Sequence, residues 1–380
     1  KILTKYGKSR KINIQNKQKI LELRTKEKKL QTLRTSWAMD ELGGVNVNLT
    51  IGTAIFLTLT ATFLFAFWYQ ALKHLGDYPL AGFVMWLYIS SFLTILAANK
   101  ALGVRDMPAG IGAELAGKGL AAFGVCLGGA AMTYGLIVSL IHMKEFGMIA
   151  NQAISGTVGA ILGLVLTFVV GGLSKNVSLF LVLLSAVVLI GASAILQYSS
   201  VIKEGVIKEQ KQEVTAEKLG SLKKQNRMLI FSNVLMLGYS VAYMLGTKSD
   251  LHPNGFPALL CVLLLSIGSL FAALSYAAVS LTRNHQWRQA ILPPNKLPIL
   301  MALGAGICHY GGNLMQIYAL PLLSAPVSNL LLKTSSLWTY LWGVVYGEYK
   351  GAIRKSKLYL ALGIGAYAVG IVILTYALYA

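Results

Sequence analysis

Hydrophobic and polar residues segregate on a long scale in this chain, with apolar stretches long enough to cross a bilayer separated by short polar segments. A helix rises about 1.5 Å per residue and the hydrocarbon core is about 30 Å thick, so about 20 apolar residues suffice. Backbone groups cannot stay unpaired in lipid, so such stretches must be helices. We predict ten spans, at 48–70, 79–99, 117–140, 147–170, 177–198, 227–247, 256–282, 298–320, 325–347 and 357–379.

The longest polar segment after the first span divides the chain into two sets of five spans. This segment, 199–226, is rich in Lys and Glu, and we expect it to be helical or irregular. The predicted organisation is therefore a first transmembrane half at 48–198, the charged linker, and a second half at 227–380. The predicted fold class is an all-α membrane protein with ten transmembrane helices.

The two halves contain similar motifs, which predicts an internal repeat. Residues 124–129 read Gly-Val-Cys-Leu-Gly-Gly and residues 306–312 read Gly-Ile-Cys-His-Tyr-Gly-Gly, while Asn151 and Asn329 stand near the starts of spans four and nine. Because five is an odd number, two such halves must insert with opposite orientation. Inverted five-helix repeats have their substrate site at the membrane midplane between the halves, and they allow alternating access.

Residues 1–47 form a basic N-terminal arm. Of the net charge of +20, half comes from the first 38 residues, which contain 12 Lys or Arg and two Glu. Such an arm can bind nucleic acid or anionic lipid; we interpret it as a solvated tail and predict no nucleic-acid partner. Met39 begins a Met-Asp-Glu-Leu-Gly-Gly sequence just before the first span. We therefore expect Met39 to be the natural start and residues 1–38 to be an upstream extension.

Composition excludes most soluble enzymes. Hydrophobic residues make up 55% of the chain and charged residues 13%, against about 25% charged residues in soluble proteins. No phosphate-binding glycine loop, His-Glu-x-x-His motif or paired-cysteine metal spacing is present, so we predict no enzyme activity, metal or cofactor.

Loops on the linker side carry 16 Lys and Arg against five on the other side, which predicts a cytoplasmic linker. The basic arm favours the reverse orientation. The predicted location is the cell membrane.

Polar side chains inside the spans are expensive, so they usually face a cavity or the bundle interior. Asn329, Lys333, Ser336 and Tyr340 share one face of span nine. Lys333 lies about two turns inside the span, which suits a cavity better than snorkelling to the surface. In a cavity it would bind an anionic or hydroxyl-rich substrate, or exchange a proton.

A second polar face lies on span eight, where His309, Asn313 and Gln316 follow the spacing i, i+4, i+7. These imidazole and amide groups can bind the hydroxyls or amides of a neutral ligand; hydrogen bonding between packed helices is the alternative. Tyr239 and Tyr243 lie in the middle of span six, where their rings can stack on a sugar or heterocycle.

Other candidates are less specific. Tyr134 of span three and Asn151 of span four complete the predicted substrate-binding set. Glu348, at the end of span nine, either pairs with a base or caps a neighbouring helix, or it joins His309 and Lys333 as a proton-coupling candidate. We assign Trp68 to the aromatic belt at the membrane surface.

Three motifs carry a resemblance to a known family. They are Thr-Tyr-Gly-Leu at 133–136, Gly-Gly-Asn at 311–313 followed by Gln316, and Gly-Glu-Tyr-Lys-Gly at 347–351. With ten spans in two halves over residues 48–380, the chain resembles the drug/metabolite transporter superfamily, and within it the rhamnose–proton symporter, glucose/ribose uptake and plant ureide permease branches. The resemblance implies an inverted-repeat bundle that moves a small polar solute together with a cation. Lys333 departs from the family pattern.

The sequence therefore predicts a secondary transporter for a sugar or a similar polyhydroxylated or ureide-like solute, driven by a proton gradient. The alternatives are an exporter of amino acids or other metabolites from the same superfamily, and a membrane scaffold or lipid-handling protein. The predicted partners are the solute, a coupling proton or cation and the lipid bilayer. A homodimer is compatible with the sequence.

Overall fold

The structure, a computed structural model, describes residues 50–170, 178–211, 216–248, 252–323, 331–332 and 334–377, apart from a number of side chains within these ranges. The described chain is built from helices and contains no strands. The first half contains α1 (Ile51–Phe67), α2 (Leu80–Asp106), α3 (Gly119–Phe146), α4 (Met148–Val170) and α5 (Leu179–Lys211). The second contains α6 (Ala216–Gly246), α7 (Ala258–Arg283), α8 (Leu297–Leu323), α9 (Thr334–Val345) and α10 (Arg354–Tyr376).

Three short helical segments and the linker add detail that hydropathy did not predict. A 3₁₀ segment, Trp68–His74, continues α1, and five-residue helices occupy Ile111–Leu115 and Trp287–Ile291. In the predicted linker, α5 runs on to Lys211 and α6 starts at Ala216. Most of the linker backbone is therefore helical.

Seven helical segments of the described chain are long and apolar enough to span a membrane, so the chain is a multi-pass, all-α membrane protein. They are Gly52–His74, Leu80–Asp106, Gly119–Glu145, Leu179–Lys203, Arg227–Gly246, Ala258–Arg283 and Arg354–Tyr376. Each coincides with a predicted span. The other three predicted spans, 147–170, 298–320 and 325–347, fall on α4, α8 and α9; residues 324–330 and 333 lie outside the described ranges.

The helices of the two halves are interleaved. Helix α8 packs against α1 and α2, and α9 also contacts α1; we call these four helices the α8 group. Helix α3 packs against α6 and α7, and α4 contacts α6; these four form the α3 group. The two groups meet where α2 contacts α7, α4 contacts α9 and α7 contacts α8, while α5 packs mainly against α10.

Glycines let α3 approach its neighbours closely. A Cβ atom on Gly129 would lie only 2.1 Å from the carbonyl oxygen of Leu265 in α7, and one on Gly135 would lie 2.6 Å from the carbonyl oxygen of Ser232 in α6. The Ser269 hydroxyl of α7 donates a hydrogen bond to the Gly129 carbonyl at 3.0 Å. Small residues at helix crossings of this kind are typical of membrane bundles.

Glycines also let helix α8 approach α2 and α1 closely. A Cβ atom on Gly306 would lie 2.2 Å from the carbonyl oxygen of Leu87 in α2, and one on Gly312 would lie 2.8 Å from the ring of Phe65 in α1. The Ser91 hydroxyl of α2 donates to the Gly306 carbonyl at 3.1 Å. Both α3 and α8 therefore use a pair of glycines six residues apart to pack against two helices.

Candidate functional site

His309 lies at the centre of a cage of aromatic rings inside the α8 group. Its ring centroid is 5.3 Å from that of Trp68, 5.2 Å from that of Tyr310, 5.8 Å from that of Tyr88 and 6.1 Å from that of Phe65. All four contacts are edge-to-face, the arrangement that aromatic quadrupoles favour. We call these five side chains the His309 cage. They come from α1 and its 3₁₀ extension, α2 and α8.

The His309 cage contains polar atoms that are buried without hydrogen bonds. Neither ring nitrogen of His309 has a partner among the described residues, and the indole N–H of Trp68 has none either. His309 is 6% exposed and Trp68 is 2% exposed. An unsatisfied buried donor or acceptor costs about 1–3 kcal/mol. A neutral imidazole offers one donor and one acceptor, so the His309 ring has two hydrogen-bonding positions that no described residue fills.

A hydrogen bond beside the cage joins the two helix groups. The Tyr239 hydroxyl of α6 donates to Oδ1 of Asn313 in α8, and Nδ2 of Asn313 donates to the His309 carbonyl at 2.9 Å. The rings of Tyr239 and Tyr243 are nearly parallel, with centroids 5.9 Å apart. The Tyr243 hydroxyl is buried and has no partner in the described part of the chain. The structure thus brings together Tyr239, Tyr243, Asn313 and His309, all predicted site residues.

Two further hydrogen bonds cross the same boundary. The Tyr310 hydroxyl of α8 donates to the Ser269 hydroxyl of α7 at 2.8 Å. The Ser336 hydroxyl of α9 donates to Oε1 of Gln152 in α4 at 3.2 Å. Gln316, another predicted site residue, is 2% exposed on α8. Polar side chains therefore bridge the boundary between the groups at several points, within a hydrophobic core that also spans it.

Two predicted substrate-binding residues have other neighbours. The amide of Asn151 in α4 exchanges hydrogen bonds with the Ser139 hydroxyl of α3, at 3.0 and 3.3 Å, inside the α3 group. Tyr134 is 43% exposed, and its hydroxyl lies 2.7 Å from that of Ser275 in α7. None of these hydrogen bonds reaches the His309 cage.

Glu348 has the structural role that the sequence suggested as one alternative. Its Oε1 atom accepts from Nζ of Lys73 at 2.8 Å and from the backbone N–H of Met148 at 2.9 Å, and its Oε2 accepts from the N–H of Ile149 at 3.1 Å. The carboxylate therefore both pairs with a base and caps α4, which confirms that interpretation. Its role in proton coupling stays a prediction.

Asn329 and Lys333 lie outside the described residues. The polar face predicted for span nine is consequently seen only at Ser336 and Tyr340, which are both buried in α9.

Sequence reasoning missed most of the cage. The assignment of Trp68 to a surface belt is wrong, because the 3₁₀ segment that follows α1 keeps this side chain buried against His309. Tyr88 was not singled out, although a tyrosine in the middle of an apolar span was a usable signal. Among the described residues, no group of three or more His, Cys, Asp or Glu side chains is placed to hold a metal ion.

No protein family and no curated protein matches the chain.

Proposed function

We propose that the chain is a secondary transporter that moves a small polar solute across the cell membrane by alternating access, driven by a proton gradient. The observation that carries the proposal is the His309 cage, which holds unpartnered polar atoms beside the boundary between two helix groups. Buried polar groups inside a membrane protein are typical of substrate and ion pathways. A protein that only needed to be stable would gain nothing by leaving them unpaired.

The pattern of helix packing supports ten spans arranged as two inverted repeats. The relation exchanges each helix of the first half with its counterpart in the second, α1 with α6 through to α5 with α10. This exchange converts the contacts of α1 with α8 and α9 into those of α6 with α3 and α4. It also converts the contact of α2 with α8 into that of α7 with α3. The contacts of α2 with α7, of α4 with α9 and of α5 with α10 convert into themselves. Such a two-fold relation is what inverted repeats produce.

The glycine contacts support the same relation in residue detail. Gly129 and Gly306 each meet a carbonyl oxygen of the neighbouring helix, and each accepts a serine hydrogen bond on its own carbonyl. Gly135 and Gly312 follow six residues later in both helices. These contacts pair Gly129 with Gly306.

The chemistry of the site supports an uncharged, ring-shaped solute with several hydroxyl or amide groups. Aromatic faces can contact the C–H surface of a sugar or the plane of a heterocycle, while His309, Asn313 and Gln316 can supply directional hydrogen bonds. We extend the proposed site to Asn329 and Lys333, and we keep the resemblance to the sugar and ureide branches of the drug/metabolite transporter superfamily as part of the proposal. His309, Lys333 and Glu348 are the proposed proton-coupling groups.

The test begins with purified protein in detergent and a thermal-shift screen of sugars, ureides and amino acids, because a ligand that binds only the folded state raises the unfolding temperature. Solutes that stabilise the protein are then used as labelled substrates in proteoliposomes, with and without an imposed pH gradient. We expect uptake that rises with the gradient and is lost in Asn313→Ala. The matched control is Asn284→Ala, which removes an exposed amide at the end of α7.

Each alternative gives a different result. An exporter of the same superfamily moves solute outward when the gradient has its natural direction, so the measured flux direction separates it from an uptake system. A scaffold responds to none of the solutes. Stabilisation by a solute without gradient-dependent flux would contradict proton coupling, and no stabilisation by any class would contradict the proposal.

A further inference from the structure

Glu348 joins four parts of the chain at the end of the bundle from which the linker leaves. Its carboxylate binds Lys73, in the 3₁₀ extension of α1, and the first two N–H groups of α4. Its backbone carbonyl accepts from Nζ of Lys203, in the part of α5 that leads into the linker. Glu348 itself follows the end of α9. Its side chain is only 8% exposed, so the carboxylate is almost fully buried in the protein.

The backbone around Glu348 is shaped for this contact. Gly147, just before α4, has φ of +92°, a conformation that side chains other than glycine rarely adopt. A Cβ atom there would lie 3.1 Å from the carboxylate. A Cβ atom on Gly343 of α9 would lie 2.5 Å from the side chain of Ile149 in α4. Glycines on both sides thus bring α9 and the start of α4 into direct contact.

The hydrogen bonds of this carboxylate are of a strong kind, and the two to α4 cross the boundary between the helix groups. Lys73 lies in the extension of α1 and Glu348 follows α9, both helices of the α8 group, whereas Met148 and Ile149 begin α4 of the α3 group. Bonds from charged or backbone donors to a carboxylate are about twice as strong as neutral ones. A negative charge at a helix N-terminus is further favoured by the helix dipole.

We propose that Glu348 and Lys73 form a latch that holds α9 against α4 and so closes the linker-side entrance to the transport site. The inference rests on the proposed alternating-access function, because that mechanism requires the two groups to separate at one end. Lys73 positions the carboxylate, and the carboxylate holds the first turn of α4. Opening towards the linker side requires α4 to leave Glu348.

The experiment measures how readily α4 and α9 separate. Ser336→Cys introduces a thiol of similar size at a position that is 3% exposed and hydrogen-bonded to Gln152 of α4. The labelling rate by a membrane-impermeant maleimide is followed in proteoliposomes, whose orientation is read from proteolysis of the linker. The chain without the introduced thiol gives the background of its natural cysteines.

We expect Glu348→Gln and Glu348→Ala to raise the labelling rate from the linker side by roughly tenfold, the change expected when a bond to a charged group is lost. Lys73→Met should raise it less, because the cap of α4 is kept. The matched control is Glu145→Gln, an exposed carboxylate on the last turn of α3, which should have no effect.

Labelling rates in the Glu348 variants equal to that of Glu145→Gln would overturn the latch. If neither Glu348 variant folds, Lys73→Met carries the test, and a rate equal to the control overturns the proposal. The labelling needs no solute, so its outcome is separate from the transport assay. Faster labelling without transport of any solute would support the latch and contradict the proposed transport function.

Discussion

Replacing Gly129 with alanine should destabilise the protein because α3 and α7 touch at this residue. The new Cβ atom would lie 2.1 Å from the Leu265 carbonyl oxygen, whereas real Cβ atoms essentially never come within 3.0 Å of such a neighbour. The two helices must therefore separate locally by about 0.9 Å, the difference between these distances. A movement of this size stretches the 3.0 Å hydrogen bond from Ser269 beyond its normal range.

The expected loss of stability follows from three contributions. Forcing an extra methyl group into a packed site costs about 1–3 kcal/mol, and the lost hydrogen bond adds about 0.5–1.5 kcal/mol. Alanine is about 1 kcal/mol better than glycine within a helix, which offsets part of this. We therefore expect Gly129→Ala to lower the free energy of unfolding by about 0.5–3.5 kcal/mol.

The measurement is reversible unfolding in mixed micelles with increasing denaturing detergent. Gly124→Ala is the matched control on the same helix, because Gly124 has nothing within 4 Å of a new Cβ atom. This control should be neutral or slightly stabilising. Gly306→Ala should behave like Gly129→Ala if the repeat relation holds, with Gly304→Ala as its control on α8.

The reasoning fails if Gly129→Ala unfolds at the same detergent fraction as Gly124→Ala. A large loss at Gly129 with none at Gly306 would contradict the packing argument at α8, because a Cβ atom on Gly306 would lie 2.2 Å from the Leu87 carbonyl oxygen. It would also contradict the equivalence of the two halves.

Two further substitutions test the site, and a third, Tyr134→Phe, serves as a comparison. Tyr239→Phe removes the donor to Asn313 Oδ1 and should lower the free energy of unfolding by about 1–3 kcal/mol in the same micelle assay. Tyr134→Phe should lower the free energy of unfolding less, because the Ser275 hydroxyl still donates to a backbone carbonyl. Lys333→Met should abolish solute uptake in proteoliposomes while leaving the protein folded, because the ammonium group is proposed to bind solute or exchange a proton; unchanged uptake would remove Lys333 from the mechanism.

The membrane segments were predictable because hydropathy averages over a whole helix and tolerates errors at its ends. Seven predicted spans coincide with long apolar helices. The end of α1 was less predictable, since the chain changes there from an α-helix to the 3₁₀ segment Trp68–His74. That change decides whether Trp68 faces the surface or the interior, and helical periodicity carries no information about it.

The sequence predicted which candidate-site residues share one face of a helix, but not which other helices they meet. The i, i+4 spacing placed His309 and Asn313 on one face of α8, and the Tyr239 hydroxyl does contact Asn313. Which rings surround His309 depends on how α1 and α2 lie against α8. That arrangement is set by close contacts such as Gly312 against Phe65, which no single-helix pattern reveals.

The interleaving of the halves also constrains how this chain is made. Helices α1 and α2 enter the bilayer before α8, yet much of the surface they pack against belongs to α8. Until α8 is inserted, the hydroxyls of Ser90 and Ser91 lack the α8 carbonyl acceptors to which they donate in the folded protein. Most helix contacts of the described chain join the two halves, so fragments cut at the linker should mature only when both are produced in the same cell.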